Sequence, residues 1–347
     1  MITTEITKLL GIEHPVLQAG MNVAAGPELA AAVTNAGGLG VIGGLHYSPN
    51  ILRAQIRRLK AALDDPLAPF GVDLLFPQIG GNARKTNYDY TKGRASELID
   101  VIIEEGTKLF VCAVGVPPRD AVEALHEAGI LIMNMVGHPK HVSKALLAGV
   151  DVICAQGGEG GGHTGDIPFS ILIPACLDAI GSAKSPLTGK PVHLVAAGGI
   201  FDGRGLAASL ALGAQAVWVG TRFVASEEAG APRMHKDLVL KAGWNDTVRT
   251  LAYSGRPMRV YRTEWLNDWE LNRQNEIKQL VAQGVIPVEY DIEKHPENTM
   301  KSKRWLMGVA SAVIQDVQPA KVIVHTMVEE AEICLQRGHG YIVSSRL

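Results

Sequence analysis

Four cysteines in 347 residues, none of them spaced as C-x-x-C, leave neither a disulfide framework nor a cysteine metal pair to build on. Cys112, Cys154, Cys176 and Cys334 stand far apart in mostly apolar contexts and read as buried thiols of a reducing compartment, so a cytoplasmic location is expected. An excess of charge of one sign is missing too. With 33 Lys and Arg against 35 Asp and Glu, the formal net charge is −2. No basic field attracts nucleic acid, and no block of like charge suggests a tail. No apolar run reaches the roughly 18 residues of a membrane span, and the N-terminus lacks a basic-then-apolar signal pattern, so no membrane role is expected. There is no P-loop, no G-x-S-x-G elbow, no H-E-x-x-H and no internal repeat. One address-like element remains: Ser345-Arg346-Leu347 resembles the peroxisomal tripeptide, which would carry meaning only in a eukaryote.

What is present is apolar sequence, 47% of the chain, and 38 glycines. Short apolar runs alternate with amphipathic helical stretches, a rhythm that calls for a parallel sheet with helical crossovers. Strands are predicted at Pro15–Ala19, Gly40–Ile42, Phe70–Leu74, Leu109–Ala113, Leu131–Val136, Asp151–Gln156, His193–Ala197 and Ala216–Gly220. Eight β-α units predict an α/β fold of the closed (β/α)8 TIM-barrel type, with a doubly wound open sheet as the alternative. Residues 1–226 plus 300–347 are expected to form the barrel, with closing helices at Lys301–Gln315 and Val328–Arg337. Residues 227–299 turn polar, aromatic and proline-containing, and are expected to be a mostly helical insertion or lid after strand eight. Trp265 and Trp269, four apart on one helical face, are expected to pack against the barrel.

The segment Asp151-Val-Ile-Cys-Ala-Gln156-Gly-Gly-Glu-Gly160-Gly-Gly-His163-Thr-Gly165 is the most informative in the chain. A strand runs into six glycines with one histidine among them. Glycine at this density costs backbone entropy, and suits a place where the chain must approach a flat ligand or a phosphate closely. A histidine set in such a floor is placed for proton chemistry near neutral pH. A solvated glycine turn is the bland alternative. Gly198-Gly199 after strand seven and Gly220-Thr221 after strand eight occupy the positions where barrel enzymes bind phosphate, with the Thr221 hydroxyl as a further donor. Gly160 to Gly165 formally fits G-x-G-x-x-G but follows strand six and meets Pro168 before any helix, so the dinucleotide fingerprint is discounted. His138 and His141 flank Pro139 and read as a helix entry rather than metal ligands.

Taken together, His14-Pro-Val-Leu-Gln-Ala19-Gly20-Met21, Glu28 to Gly40, Ala155 to Gly165, Ala197-Gly198-Gly199-Ile, Val219-Gly220-Thr221-Arg-Phe and Ser254-Gly255-Arg256-Pro257-Met-Arg259 resemble the nitronate monooxygenase, or 2-nitropropane dioxygenase, family. The resemblance runs from about Pro15 to Arg259. It implies a (β/α)8 barrel carrying noncovalent FMN, with His163 at the catalytic position. It further implies FMN contacts from Ala19, Gly20, Met21, Gln156, Gly161, Gly162, Gly198, Gly199, Gly220 and Thr221. The reaction implied takes a nitronate or nitroalkane and O2 to a carbonyl compound and nitrite. Related barrels include flavin-dependent enoyl-acyl-carrier-protein reductases and NADH:quinone reductases, so an NAD(P)H-dependent FMN reductase of quinones or enoyl thioesters stands as the alternative. A flavin-storage module without turnover is a third reading, against which His163 argues. Gly20, Asn22, Asp73 and Gly160 depart from residues common in the family, which puts the substrate in doubt; the sequence does not give the oligomeric state.

Overall fold

Every one of the eight apolar runs becomes a strand of one parallel sheet in the computed structural model, which describes residues 2–342. Ser345-Arg346-Leu347 lies outside the described residues. The strands are β1 (Val16–Gln18), β2 (Val41–Gly43), β3 (Gly71–Phe76), β4 (Leu109–Gly115), β5 (Leu131–Val136), β6 (Val152–Gln156), β8 (His193–Ala197) and β9 (Ala216–Val219), with a two-residue β7 (Gly162–His163) outside the sheet. Their order is β1-β9-β8-β6-β5-β4-β3-β2. A bridge between Leu17 and Leu39 joins the first strand to the last. At that seam Gln18 N–H donates to Leu39 O at 3.0 Å, while the Gln18 side-chain amide accepts from Val41 N–H and donates to Val41 O, both at 3.2 Å. A buried side chain thus continues the ladder where the strands are too short to do so, and the barrel closes.

Both faces of the sheet are buried, which is why its strands read as continuous apolar runs rather than as alternation. Leu17, Val41, Val111, Met133, Val195 and Trp218 fill the interior. On the other face Val16, Ile42, Val72, Phe110, Ile132 and Ile153 meet the helices through Leu29, Ile56, Leu98, Leu125, Leu172 and Leu206. The helix Glu5–Leu10 plugs the amino-terminal end, where Ile6 and Leu10 join the interior cluster. Its start is set by a reciprocal pair, Thr7 N–H to Thr4 Oγ1 at 3.3 Å and Thr4 N–H to Thr7 Oγ1 at 3.0 Å. Full burial of each such side chain stabilises by about 1.5–3 kcal/mol.

After β9 the chain forms β10 (Thr247–Thr250) and β11 (Met258–Tyr261), then helices Glu264–Asn272, Gln274–Gln283 and Pro287–Lys294. Two expectations need correction. Trp265 and Trp269 do not pack against the barrel; they are buried with Tyr253, Met258, Val260, Leu266 and Leu280 in a separate core of this insertion. Each indole has a local partner: Trp265 Nε1–H donates to Asp291 at 2.7 Å, and the Arg273 guanidinium lies 3.5 Å from the Trp269 ring centroid. Nor is Lys301–Gln315 a closing helix. Within it only Val309–Val313 is helical, as a 3₁₀ segment. The rest is held extended by distant partners, since Trp305 O accepts from Tyr261 N–H at 2.8 Å and Leu306 bridges Val260. The second closing helix is longer than expected, Ala320–His339.

Candidate active site

The carboxyl ends of the barrel strands surround one cavity of about 970 Å³, and all eleven residues singled out in the sequence line it. β6 delivers Gln156, whose side-chain amide donates to His163 O at 2.9 Å and so folds the glycine loop back on its own strand. The loop cannot carry side chains at several points. A Cβ at Gly161 would stand 2.6 Å from the Met307 carbonyl carbon, and one at Gly160 would stand 2.6 Å from Gln156 Nε2. Gly162 has a φ of +70°, which favours glycine. Glu159 is spent on structure: its carboxylate accepts from Phe169 N–H at 3.0 Å and caps the helix Phe169–Ile180.

His163 is fixed by an element the barrel does not supply. β7 pairs antiparallel with β11, Met258 opposite His163 and Arg259 opposite Gly162. Just before β11, Ser254 Oγ lies 3.1 Å from His163 Nε2 and 3.2 Å from Arg256 O. Burial, with Arg256 and Arg304 nearby, pulls the imidazole down to about 3, so it is neutral throughout the physiological range.

Opposite lie the glycine turns of β8 and β9. Gly198 (φ +100°) and Gly199 (φ +74°) both need the left-handed region, and a Cβ at Gly198 would meet Gly157 backbone atoms at 2.9 Å. Gly220 faces the cavity beside Met21 and Ala19. Thr221 Oγ1 accepts from Gly308 N–H at 2.9 Å, which leaves its own proton free to donate.

Sequence reading did not assign site roles to Ser254, Arg256, Asp73, Asn134 or Arg304, all of which line the cavity. The first two lie in the Ser254-Gly255-Arg256-Pro257 motif, and Asp73 stands where the family commonly has another residue; Asn134 and Arg304 carry no local signal. Asp73 is buried, its Oδ1 has no partner among the described residues, and Asn134 Oδ1 is likewise unpartnered. Gly20 packs so closely on Asp73 that a Cβ there would come within 2.5 Å of it, so two of the departures from family residues touch. Burial pushes the Asp73 carboxyl well above the usual carboxylate range. An acid whose folded pKa is raised stabilises least at high pH, because the unfolded chain gains by ionising. Asp73→Asn is therefore expected to flatten the fall in thermal stability between mildly acidic and mildly alkaline pH. Melting curves of both proteins across that range check this, and parallel curves would show Asp73 ionised.

The closed parallel barrel presents glycine surfaces at three strand ends with His163 among them, the arrangement of the oxidoreductases it resembles. The sequence profile described as Nitronate monooxygenase matches residues 3–330, and the chain belongs to that family. A 5-hydroxy-7a-methyl-1-oxo-octahydro-1H-indene-4-carboxyl-CoA dehydrogenase of Mycobacterium tuberculosis is 39% identical over 269 residues, 78% of this chain and 69% of that one. FabK from Thermotoga maritima superposes with a TM-score of 0.80 at 31% identity, over 99% of this chain and 100% of its own. Nitroalkane oxidase from Streptomyces ansochromogenes gives 0.77 at 25% identity, over 96% and 99%. Among the described residues no helix is long and apolar enough to cross a membrane.

Proposed function

We propose that this chain is an FMN-dependent oxidoreductase that oxidises carbon acids, with alkyl nitronates and O2 as the substrates its family favours and a carbonyl compound and nitrite as products. The observation that carries the reading is His163, hydrogen-bonded to Ser254 and facing a cavity built on three glycine surfaces. The residues fit the cofactor: the left-handed Gly198-Gly199 turn and the Gly220-Thr221 turn present backbone and a free hydroxyl proton where a phosphate would be held. The unpartnered oxygens of Asp73 and Asn134 call for a polar ligand at the cavity floor. When bound, FMN would supply the redox chemistry.

His163 would manage the proton. Ser254 has one hydroxyl proton; with it donated to Arg256 O, the serine oxygen accepts from His163 Nε2–H, and Nδ1 is left as the basic nitrogen. A neutral nitroalkane would lose its carbon-bound proton to that nitrogen as the anion forms beside Arg256 and Arg304, because that negative charge offsets the two cations that help keep the imidazole unprotonated beforehand. The same base suits the α-proton of a thioester, and the 39% identical carboxyl-CoA dehydrogenase favours that second reading. Anaerobic titration of the purified yellow protein separates the classes. Slow bleaching by NADH and NADPH, with rapid turnover of a nitronate in air, is the expected result; immediate bleaching by either nucleotide without nitronate turnover would replace the reading with a reductase.

A further inference from the structure

The cavity, about 970 Å³, stands near the top of the size range for ligand pockets. Its rim also departs from the balanced charge of the whole chain. Arg84, Arg256 and Arg304 border it, and among the described residues none of the three pairs with a carboxylate. Arg84 and Arg256 are close enough for Arg84 to lower the Arg256 pKa, after burial, and Arg304 acts on His46, Tyr88 and Tyr253. Two of the acids lining the cavity are engaged, Glu159 in capping a helix and Asp166 in pairing with Arg249 at 3.3 Å, while Glu289 has no ion-pair partner among the described residues and three arginines outnumber it. Gathering unpaired guanidinium groups at one opening is unfavourable unless an anion shares it, and their forked donors suit phosphate.

An aromatic face adjoins the arginines. Tyr88 and Tyr90 have ring centroids 4.4 Å apart, with His46 packed 5.4 Å from Tyr90. Tyr88 is 42% exposed although it borders the cavity. The Arg256 side chain donates to Asn87 at 3.2 Å, which ties the tyrosine segment to the arginines. His46 also lies parallel to Tyr88, centroids 6.3 Å apart, so the three rings form one partly exposed cluster. Such a cluster beside phosphate-directed cations is a combination that recognises a nucleotide: the base packs on the rings while the phosphates are clamped.

We propose that this rim binds the adenosine-diphosphate tail of the substrate or co-substrate, with Arg84, Arg256 and Arg304 on the phosphates and Tyr88 against the base. The inference rests on the oxidoreductase reading of the cavity and names the chemical class it admits. Two molecules carry such a tail to a redox site, a coenzyme A thioester and a nicotinamide dinucleotide. FMN-loaded protein, in which the flavin phosphate site is filled, is titrated calorimetrically with ADP, free coenzyme A and NADH. Binding of ADP is expected, weakened about tenfold in each of Arg84→Ala, Arg304→Ala and Tyr88→Ala, and weakened further on raising salt from about 50 to 200 mM. Arg84, Arg304 and Tyr88 are exposed, so FMN content and circular dichroism should be unchanged in these variants. Tighter binding of coenzyme A than of ADP and NADH assigns the thioester; tighter binding of NADH assigns the dinucleotide. No binding of any of the three at millimolar concentration, or equal affinity in all variants, overturns the proposal. Nitronate turnover is assayed on the unsubstituted FMN-loaded protein. A protein that turns over nitronates without binding ADP removes only this inference, whereas one that binds ADP but turns over no nitronate removes the nitronate reading and keeps the tail site.

Discussion

His163→Asn is expected to keep the cofactor but to lose about 10²–10⁴-fold in kcat/KM on neutral nitroalkanes, the usual contribution of a positioned base, with a much smaller loss on preformed nitronates. The contrast follows from where the proton is. A nitroalkane must surrender a carbon-bound proton, and a nitronate already has. Because burial and the neighbouring arginines hold the imidazole near 3, the histidine-dependent factor should stay constant across neutral pH. The linkage has a definite sign. The unfolded histidine binds a proton below its ordinary pKa of about 6.5, while the folded one does not. The folded protein therefore loses stability as pH falls from there towards 3, and that acid sensitivity should diminish in the variant. Equal, large losses on both substrates would make His163 an anchor for the anion instead of a base. Undiminished turnover on both would end its catalytic assignment.

Gly220→Leu is expected to abolish most FMN binding in a protein that still folds. The backbone at Gly220 has a φ of −107°, which any residue adopts. A Cβ there meets only Met21 Sδ at 3.6 Å and Ala19 Cβ at 3.7 Å, ordinary contacts, so the cost falls on the cavity. Losing about two hydrogen bonds to the phosphate weakens affinity on the order of 100-fold or more. Fluorescence of released FMN measures it. Gly199→Leu is a poorer probe, since a leucine at φ +74° strains the backbone whatever the ligand does. Unchanged affinity in well-folded Gly220→Leu would move the phosphate elsewhere.

The barrel was legible because both faces of its sheet are covered, so that burial wrote each strand into the sequence as an apolar run. The glycine turns were legible for a related reason: close approach of backbone to backbone at Gly161 and Gly198 admits no other residue. Segments held by distant partners were not. Lys301–Gln315 has residues that a helix would accept, yet its backbone is taken up by Tyr261, Val260, Thr221 and Glu159. The short strands β10 and β11 are half polar and too brief for a clear period, and the tryptophan pair gives the same spacing whichever core it enters. Six-residue Glu5–Leu10 was likewise missed, its signal being the Thr4 and Thr7 cap alone. In the site, residues that one strand end supplies were found together. Ser254, Arg256 and Arg304 come from another part of the chain and meet the histidine only in three dimensions.

The pairing of β7 with β11 divides the labour of inheritance within this fold. The strand ends that present the glycine turns lie outside the segment from β10 to Leu306. That segment carries the strand that aligns His163, the serine that touches it and two of the three rim arginines. Exchanging that stretch of about sixty residues with a relative's is therefore expected to change substrate preference while FMN content stays the same, provided the two-residue ladder that aligns the histidine is kept.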